Sequence, residues 1–531
     1  MSRDSPPAAP ALPLRLLLAL LGGGAIALAF PAYDQWYAAW LGCGLIAAAG
    51  WAARPGAGFL TGLVAGLAYF LPTLSWSGVY VGALPWVALA TLQALYVAAM
   101  LAVIGPLQRR LLDGGAAWAA YGIVPLGWVV GEWARGSTPF GGFPWARLAF
   151  SQADSPLRAL AAVGGAPLLT AAVATMGVAG YAAIPALRHR SPRALIPLTL
   201  ACGVALSPLA VPSPTSERET ARIGLVQGNV PQPGLDFNAE RRAVLDNHVR
   251  VTEDLMGRPD TGPLDLVVWP ENAADIDPLR NADAAAAIAR AQAATQAPLL
   301  IGAILNEPEP QVSNASLLYR PGVPEPERYL KRHPVPFAEY VPYRDFFRRF
   351  NDKVDLVRAG MAQGEKVGSF RMTTSSGVDW LALPSICFEV AYDALLREAV
   401  LLDPDQPSVL VVQTNNATFG FTAESEQQYA ISRIRAIEHG RSVVHVSTVG
   451  VSGVIGPNGT STPPSALFTA YAAAATVPLH SGTTLANRLG QTPEYAALLG
   501  LFLAWGSRWR RRRAHHNPVD PTVTPKELAS A

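Results

Sequence analysis

Long apolar runs crowd the first 212 residues of this 531-residue chain, and one more lies near its C-terminus. A run approaching roughly 20 residues can cross a bilayer core, because a helix satisfies its own backbone hydrogen bonds there. Eight such runs are predicted, at about 14–32, 36–53, 58–80, 86–106, 117–134, 158–185, 193–211 and 490–507. Composition agrees: half of the residues are hydrophobic and only 15% are charged, against about 25% in soluble proteins. A disordered chain, a coiled coil and an ordinary cytosolic enzyme are excluded. The formal charge of +2 gives no sign of a nucleic-acid partner. The first run sits behind Arg3 and Arg15, lacks a clear small-residue cleavage site and is followed by six more within the first 212 residues, so it reads as a retained anchor.

The character changes after Pro212–Glu219 (PSPTSERE), a polar, proline-rich linker. The organisation expected is a membrane domain over 1–212, a soluble domain over 213–489, a last span over 490–507 and a basic tail over 508–531. Arginines orient it, since short cytoplasmic loops are enriched in Lys and Arg. Arg54, Arg109, Arg110, Arg188, Arg190 and Arg193 follow even-numbered spans, as do Arg508 and Arg510 to Arg513. Both termini are therefore expected in the cytoplasm and the soluble domain outside it. Arg135, Arg147 and Arg158 break the pattern and mark an outer loop with a possible function of its own.

The soluble domain alternates β-rich runs with helical ones. Strands are predicted at Arg222–Gln227, Leu264–Trp269, Pro298–Leu305, Ser313–Tyr319, Asp379–Leu383, Val409–Gln413 and Ser442–Val446. Helices are predicted over Asn238–Met256, around Asn281–Thr295, and near Ala391–Leu401 and Glu424–Glu438. This pattern predicts an α/β sandwich. Cys387 is the one cysteine of the exported part, and an unpaired thiol in an oxidising compartment needs a use. The histidines do not cluster at ligand spacings, so neither a metal nor a cofactor is expected.

Three segments carry chemistry. The second strand runs into Trp269-Pro270-Glu271, placing a carboxylate where α/β folds hold functional groups. Taken singly, such a glutamate is more often a helix cap. Lys331 is one of four lysines in an arginine-rich chain and heads the run Lys331-Arg332-His333-Pro334-Val335-Pro336-Phe337-Ala338-Glu339. A retained lysine suggests a task for a compact ammonium, and a solvated lysine is the alternative. It is expected beside a solvent-facing site, contributing little to folding. Leu383–Cys387 is an apolar strand ending in cysteine before a helix, the pattern of a nucleophile elbow with free backbone N–H groups.

These segments resemble those of the nitrilase superfamily, whose fold is an αββα sandwich. With the apolar spans, the chain is similar to the apolipoprotein N-acyltransferase branch. The resemblance also rests on Gly142-Phe143-Pro144-Trp145, Ser151-Gln152, Val226–Gln232 and Arg435–Arg441. It implies Glu271 as general base, Lys331 as oxyanion stabiliser and Cys387 as nucleophile. Glu339 and Glu389 match supporting carboxylates, and Phe388, Trp145 and Arg135 are expected to support the site or bind substrate. Leu235 and Asp236 stand where many members carry Lys-Trp, and Asn416 and Thr418 replace a frequent Asp and Trp; both segments are expected at the substrate entrance. The implied reaction moves an acyl chain from a membrane phospholipid, through a Cys387 thioester, to the N-terminal amine of a diacylated apolipoprotein. The loop around Arg135–Arg147 is expected to meet phospholipid headgroups. Two other classes stay open: a membrane-tethered amidase using water, and a non-enzymatic scaffold docking another membrane enzyme.

Overall fold

The computed structural model describes residues 9–188, 191–212, 219–231, 240–350, 354–355, 357 and 359–514. Leu235, Asp236, most of the 212–219 linker and the tail beyond 514 lie outside these residues. Helices occupy the eight expected runs: α1 (Leu12–Leu28), α2 (Ala38–Gly50), α3 (Pro55–Thr73), α4 (Ala83–Asp113), α5 (Ala117–Ser137), α6 (Ala161–Arg188), α7 (Leu195–Leu206) and, last in the chain, α14 (Thr492–Ala514). Pro55–Thr73, Ala83–Asp113 and Pro156–Arg188 are each long and apolar enough to cross a membrane, and three shorter apolar helices join them. At one end of this bundle Arg15 donates to the carbonyls of Ala49 and Trp51, and Arg109 to that of Ala52. Arg110 lies over the Trp505 ring of α14 at that end, 3.8 Å from its centroid.

The α/β part contains eleven strands: β1 (Thr220–Gln227), β2 (Leu266–Val268), β3 (Leu299–Leu305), β4 (Ser313–Tyr319), β5 (Glu327–Leu330), β6 (Phe370–Thr373), β7 (Asp379–Ile386), β8 (Ser408–Thr414), β9 (Ser442–Ser447), β10 (Gly453–Ile455) and β11 (Tyr471–Pro478). They form two sheets, β11-β1-β2-β3-β4-β5 and β10-β9-β8-β7-β6. Ile223, Leu225, Val268 and Leu300 of the first sheet meet Trp380, Ile386, Val411 and Val444 of the second in one buried layer. Helices α8 (Arg241–Met256) and α9 (Ala282–Thr295) cover the first sheet, and α11 (Asp393–Val400) and α12 (Glu424–His439) the second. Short helices α10 (Arg344–Phe347) and α13 (Leu485–Leu489) complete the set. The layering is α–β–β–α.

Strands β5, β6, β10 and β11 are missing from the sequence-based reading. Tyr471–Pro478 is alanine-rich and has no β-branched alternation. It becomes a strand because β1 offers it a free edge, which it fills antiparallel over eight residue pairs.

The α12 layer is where the two parts join. Fourteen residues of this 16-residue helix are buried, on every face, because one side packs on the second sheet and the other on the apolar helices. Gln427 faces the helical bundle. Its Nε2 donates to the carbonyls of Pro31 and Thr73, both at 3.1 Å, and its Oε1 accepts from the indoles of Trp76 at 3.2 Å and Trp145 at 2.8 Å. Helix α6 bends at Gly164 and Gly165 to admit Glu438 of α12; Gly165 has φ +66°, and a Cβ there would stand 2.7 Å from the carboxylate. The α/β part thus docks at the end of the bundle opposite Arg15 and Arg109.

Candidate active site

Cys387 follows the last residue of β7 and opens a 3-10 turn, Cys387–Ala391. Its φ of +52° is the left-handed conformation that a side-chain-bearing residue adopts only when held there. Glu389 holds it. This buried carboxylate accepts from Ile386 N at 2.8 Å, from Arg332 N at 2.6 Å and from the Tyr329 hydroxyl at 2.9 Å. One side chain therefore ties the turn carrying Cys387 to the strand end carrying Lys331. From Trp380 to Ala391 every residue but Cys387 is buried, so the thiol is the reachable group of its segment.

Glu271 arrives just past β2, over β3. Gly302 of β3 makes room for it, because a Cβ there would lie 2.5 Å from the Glu271 Cα. Lys331, after β5, is only 1% exposed. Its Nζ donates to Glu339 at 2.7 Å and to Glu271 at 3.4 Å. Asn314 Nδ2 donates to the same Glu271 oxygen at 2.6 Å, and Glu339 is held in turn by Val335 N at 2.7 Å. Glu271 and the Cys387 thiol are close enough for each to bear on the other's protonation. Three strand ends from two sheets thereby converge on one sulfur.

The electrostatics set the resting state. Burial pushes the Glu271 carboxyl above its ordinary value, Lys331 pulls it back and Glu339 adds to the rise. Burial also drives the Cys387 thiol well up; Glu271 reinforces this and Lys331 partly offsets it. Burial opposes charge on Lys331, but Glu339 and Glu271 more than compensate and keep it an ammonium. At rest the sulfur keeps its proton beside a carboxylate poised to take it.

Three sequence-based expectations need correction. Lys331 is not beside a solvent-facing site: it is buried between two carboxylates, because its ammonium is what allows them to be buried. Arg135 is not on the outside of its loop. Its guanidinium is buried and donates to the carbonyls of Phe143 at 3.0 Å, Trp145 at 2.6 Å and Ala146 at 2.6 Å, so the arginine shapes the loop from inside. Arg147 is likewise buried, paired with Asp393 at 2.6 Å and Glu132 at 3.4 Å. Nor does Asn416 line an entrance. It is 2% exposed and bonded to Glu424 and Gln428, while Thr418 is half-buried in the turn that follows.

Trp145 and Phe388 stack on one another, with centroids 5.3 Å apart and planes 5° from parallel, and Phe143 stacks on Phe388 from the same loop. The loop of the helical part is thus pressed against the residue after Cys387. Sequence reasoning missed Asn314, Tyr329 and Gln428, because a polar residue inside a strand or helix gives no signal of where its amide or hydroxyl points. Among the described residues no group of three His, Cys, Asp or Glu side chains could hold a metal ion.

An αββα sandwich that gathers Glu, Lys and Cys from separate strand ends defines the carbon-nitrogen hydrolase class. The family model for Carbon-nitrogen hydrolase matches residues 222–483, and that for the Apolipoprotein N-acyltransferase N-terminal domain matches 22–179. An apolipoprotein N-acyltransferase from Mycolicibacterium smegmatis is 36% identical over 83% of this chain and 76% of its own. Another, from Shewanella oneidensis, is 29% identical over 90% of this chain and 93% of its own. A solved CN-hydrolase superfamily protein from Xanthomonas campestris covers 53% of this chain and 97% of its own at 20% identity, with a TM-score of 0.34 that carries no weight. The chain belongs to the apolipoprotein N-acyltransferase family: it is a membrane protein and an acyltransferase.

Proposed function

We propose that the chain transfers a fatty acyl group from a membrane phospholipid to the N-terminal amine of a diacylglyceryl-cysteine lipoprotein, through a thioester on Cys387. Glu271 removes the thiol proton as the sulfur attacks the ester carbonyl. Lys331 and a backbone N–H of the turn stabilise the oxyanion. The ester C–O bond breaks, the lysophospholipid leaves with the proton from Glu271, and the acyl group remains on sulfur. The amine then attacks the thioester, Glu271 accepts its proton, and Cys387 is released. Glu339 keeps Lys331 charged and in place, and Glu389 maintains the turn. The observation that carries this reading is the convergence of Glu271, Lys331 and the Cys387 thiol beneath a loop of the apolar bundle, where both lipid substrates have their acyl chains.

The same reading assigns 1–212 and 490–507 to a multi-pass membrane part, 213–489 to an extracytoplasmic catalytic domain and 508–531 to a cytoplasmic tail. Docking of the α/β part at the bundle end away from Arg15 and Arg109 supports that orientation.

Purified protein given phospholipid alone should accumulate one long acyl group on Cys387, seen as a mass increase that hydroxylamine removes. A diacylated lipopeptide with a free N-terminus should discharge it, and an N-blocked one should not. Cys387→Ala should show neither event, and Glu271→Gln should load poorly because the thiol stays protonated. Rapid release of free fatty acid without acceptor would favour water as the natural acceptor, and loading that survives in Cys387→Ala would defeat the mechanism.

A further inference from the structure

A second group of side chains reaches the Cys387 sulfur. Gln428, on the second turn of α12, places its Nε2 3.7 Å from Sγ. Its Oε1 accepts from the Thr414 hydroxyl at 2.7 Å and from Asn416 Nδ2 at 2.9 Å. Thr414, Gln428 and Ser447 are all fully buried, so no water is at hand to change these partners.

The direction of the Gln428 amide follows from a backbone donor four steps away. Gly450 N–H can only donate, and it donates to Ser447 Oγ at 2.8 Å. The Ser447 hydroxyl in turn donates to Asn416 Oδ1, 2.5 Å away. With its carbonyl so occupied, Asn416 turns its NH2 to Gln428 Oε1 and to Glu424 Oε2, the latter at 2.7 Å. Gln428 must then present its carbonyl to Asn416 and its N–H to the sulfur. The reversed amide would set two donors against each other and leave the thiol facing an oxygen.

We propose that Gln428 is a dedicated N–H donor to the Cys387 sulfur, and that Thr414, Asn416 and Ser447 are positioning residues that forbid the opposite amide orientation. The inference rests on Cys387 being the nucleophile. A neutral donor suits this place because it favours thiolate without adding a second cation next to Lys331. It acts twice, on the thiolate that attacks and on the thiolate expelled when the amine takes the acyl group. A thioester sulfur is a poor acceptor, so the contact is strongest when the sulfur is charged. The charged groups facing the thiol are Glu271 and Lys331, with Glu424 at the far end of the network. Burial raises Glu424 to about 8, so at neutral pH it is mostly an uncharged carboxylic acid and adds little repulsion.

The test is the pH profile of Cys387 alkylation by iodoacetamide in the full-length protein in detergent, read on the Cys387 peptide so that Cys43 and Cys202 do not interfere. Gln428→Met keeps the length and removes the donor. It should move the profile up by about one pH unit and slow alkylation at neutral pH about tenfold. Asn416→Leu removes the Asn416 donor without adding a charge, which frees the Gln428 amide to turn and should shift the profile in the same direction by a smaller amount. It decides the matter if Gln428→Met does not fold. A wild-type profile in the folded variants would overturn the proposal. Acyl transfer by Cys387→Ala would instead sink the nucleophile assignment, and the alkylation result would still report on Gln428.

Discussion

In the proposed mechanism Lys331 links catalysis to folding through one ammonium. Its removal takes the only cation from between Glu271 and Glu339, and breaking a buried pair costs about 3–5 kcal/mol. Lys331→Ala should therefore be destabilised as well as inactive, with activity down by about 100- to 1,000-fold for a lost oxyanion donor. The sign of the pH effect follows. Without the cation the Glu271 carboxyl, already raised by burial, binds a proton still more readily in the folded state, so the stability deficit should be larger at pH 8 than at pH 5. Thermal unfolding in detergent at the two pH values checks this, and a variant as stable as wild type at pH 8 would contradict the buried pair. Glu271, Lys331 and Cys387 were legible from sequence because each sits at a strand end and has a chemistry that few positions need. Asn314 and Gln428 were not, since amides are common in every environment and only the fold says which sulfur or carboxylate they face.

Helix α12 shows what an element can hide. Its sequence carries Glu424, Glu426, Arg433, Arg435 and Glu438, yet 14 of its 16 residues are buried. Gln427, Gln428 and Arg435 are bonded to the two layers that enclose it. Arg435 donates to the carbonyls of Val390 at 2.9 Å and Ala391 at 2.7 Å, locking the end of the Cys387 turn, and pairs with Asp393 and Glu438. Gln427→Leu would leave two indole N–H groups and two carbonyls without their buried partner, a loss of about 3 kcal/mol. Thermal unfolding should show that loss, and limited proteolysis should cut faster in the loops 29–37 and 138–160 that meet α12. An unchanged melting temperature would mean that Gln427 does not hold the two parts together. The strands with β-branched runs were legible in the same way as the triad; β11 was not, because an alanine-rich segment pairs only where an edge awaits it.

At the scale of the whole molecule, one apolar core runs from the membrane helices through α12 to the outer face of the second sheet. The arginine-bearing end of the bundle and the docked α/β part lie at opposite ends, which predicts opposite sides of the membrane for them. Reporters fused after Glu219 and after Ala531 should give opposite signals, the first extracytoplasmic and the second cytoplasmic; the same signal from both would sink the orientation. The sequence by itself determined the apolar helices, the α/β alternation and the three residues that the fold brings together at the candidate site, because apolar run length, strand periodicity and rare residue types are local properties. Only the tertiary structure decided that Lys331 is buried, that Arg135 and Arg147 turn inward, and that α12 faces Cys387 with one glutamine and the bundle with the next. Those outcomes depend on which polar groups meet across elements far apart in the chain, and no local pattern records a partner contributed from hundreds of residues away.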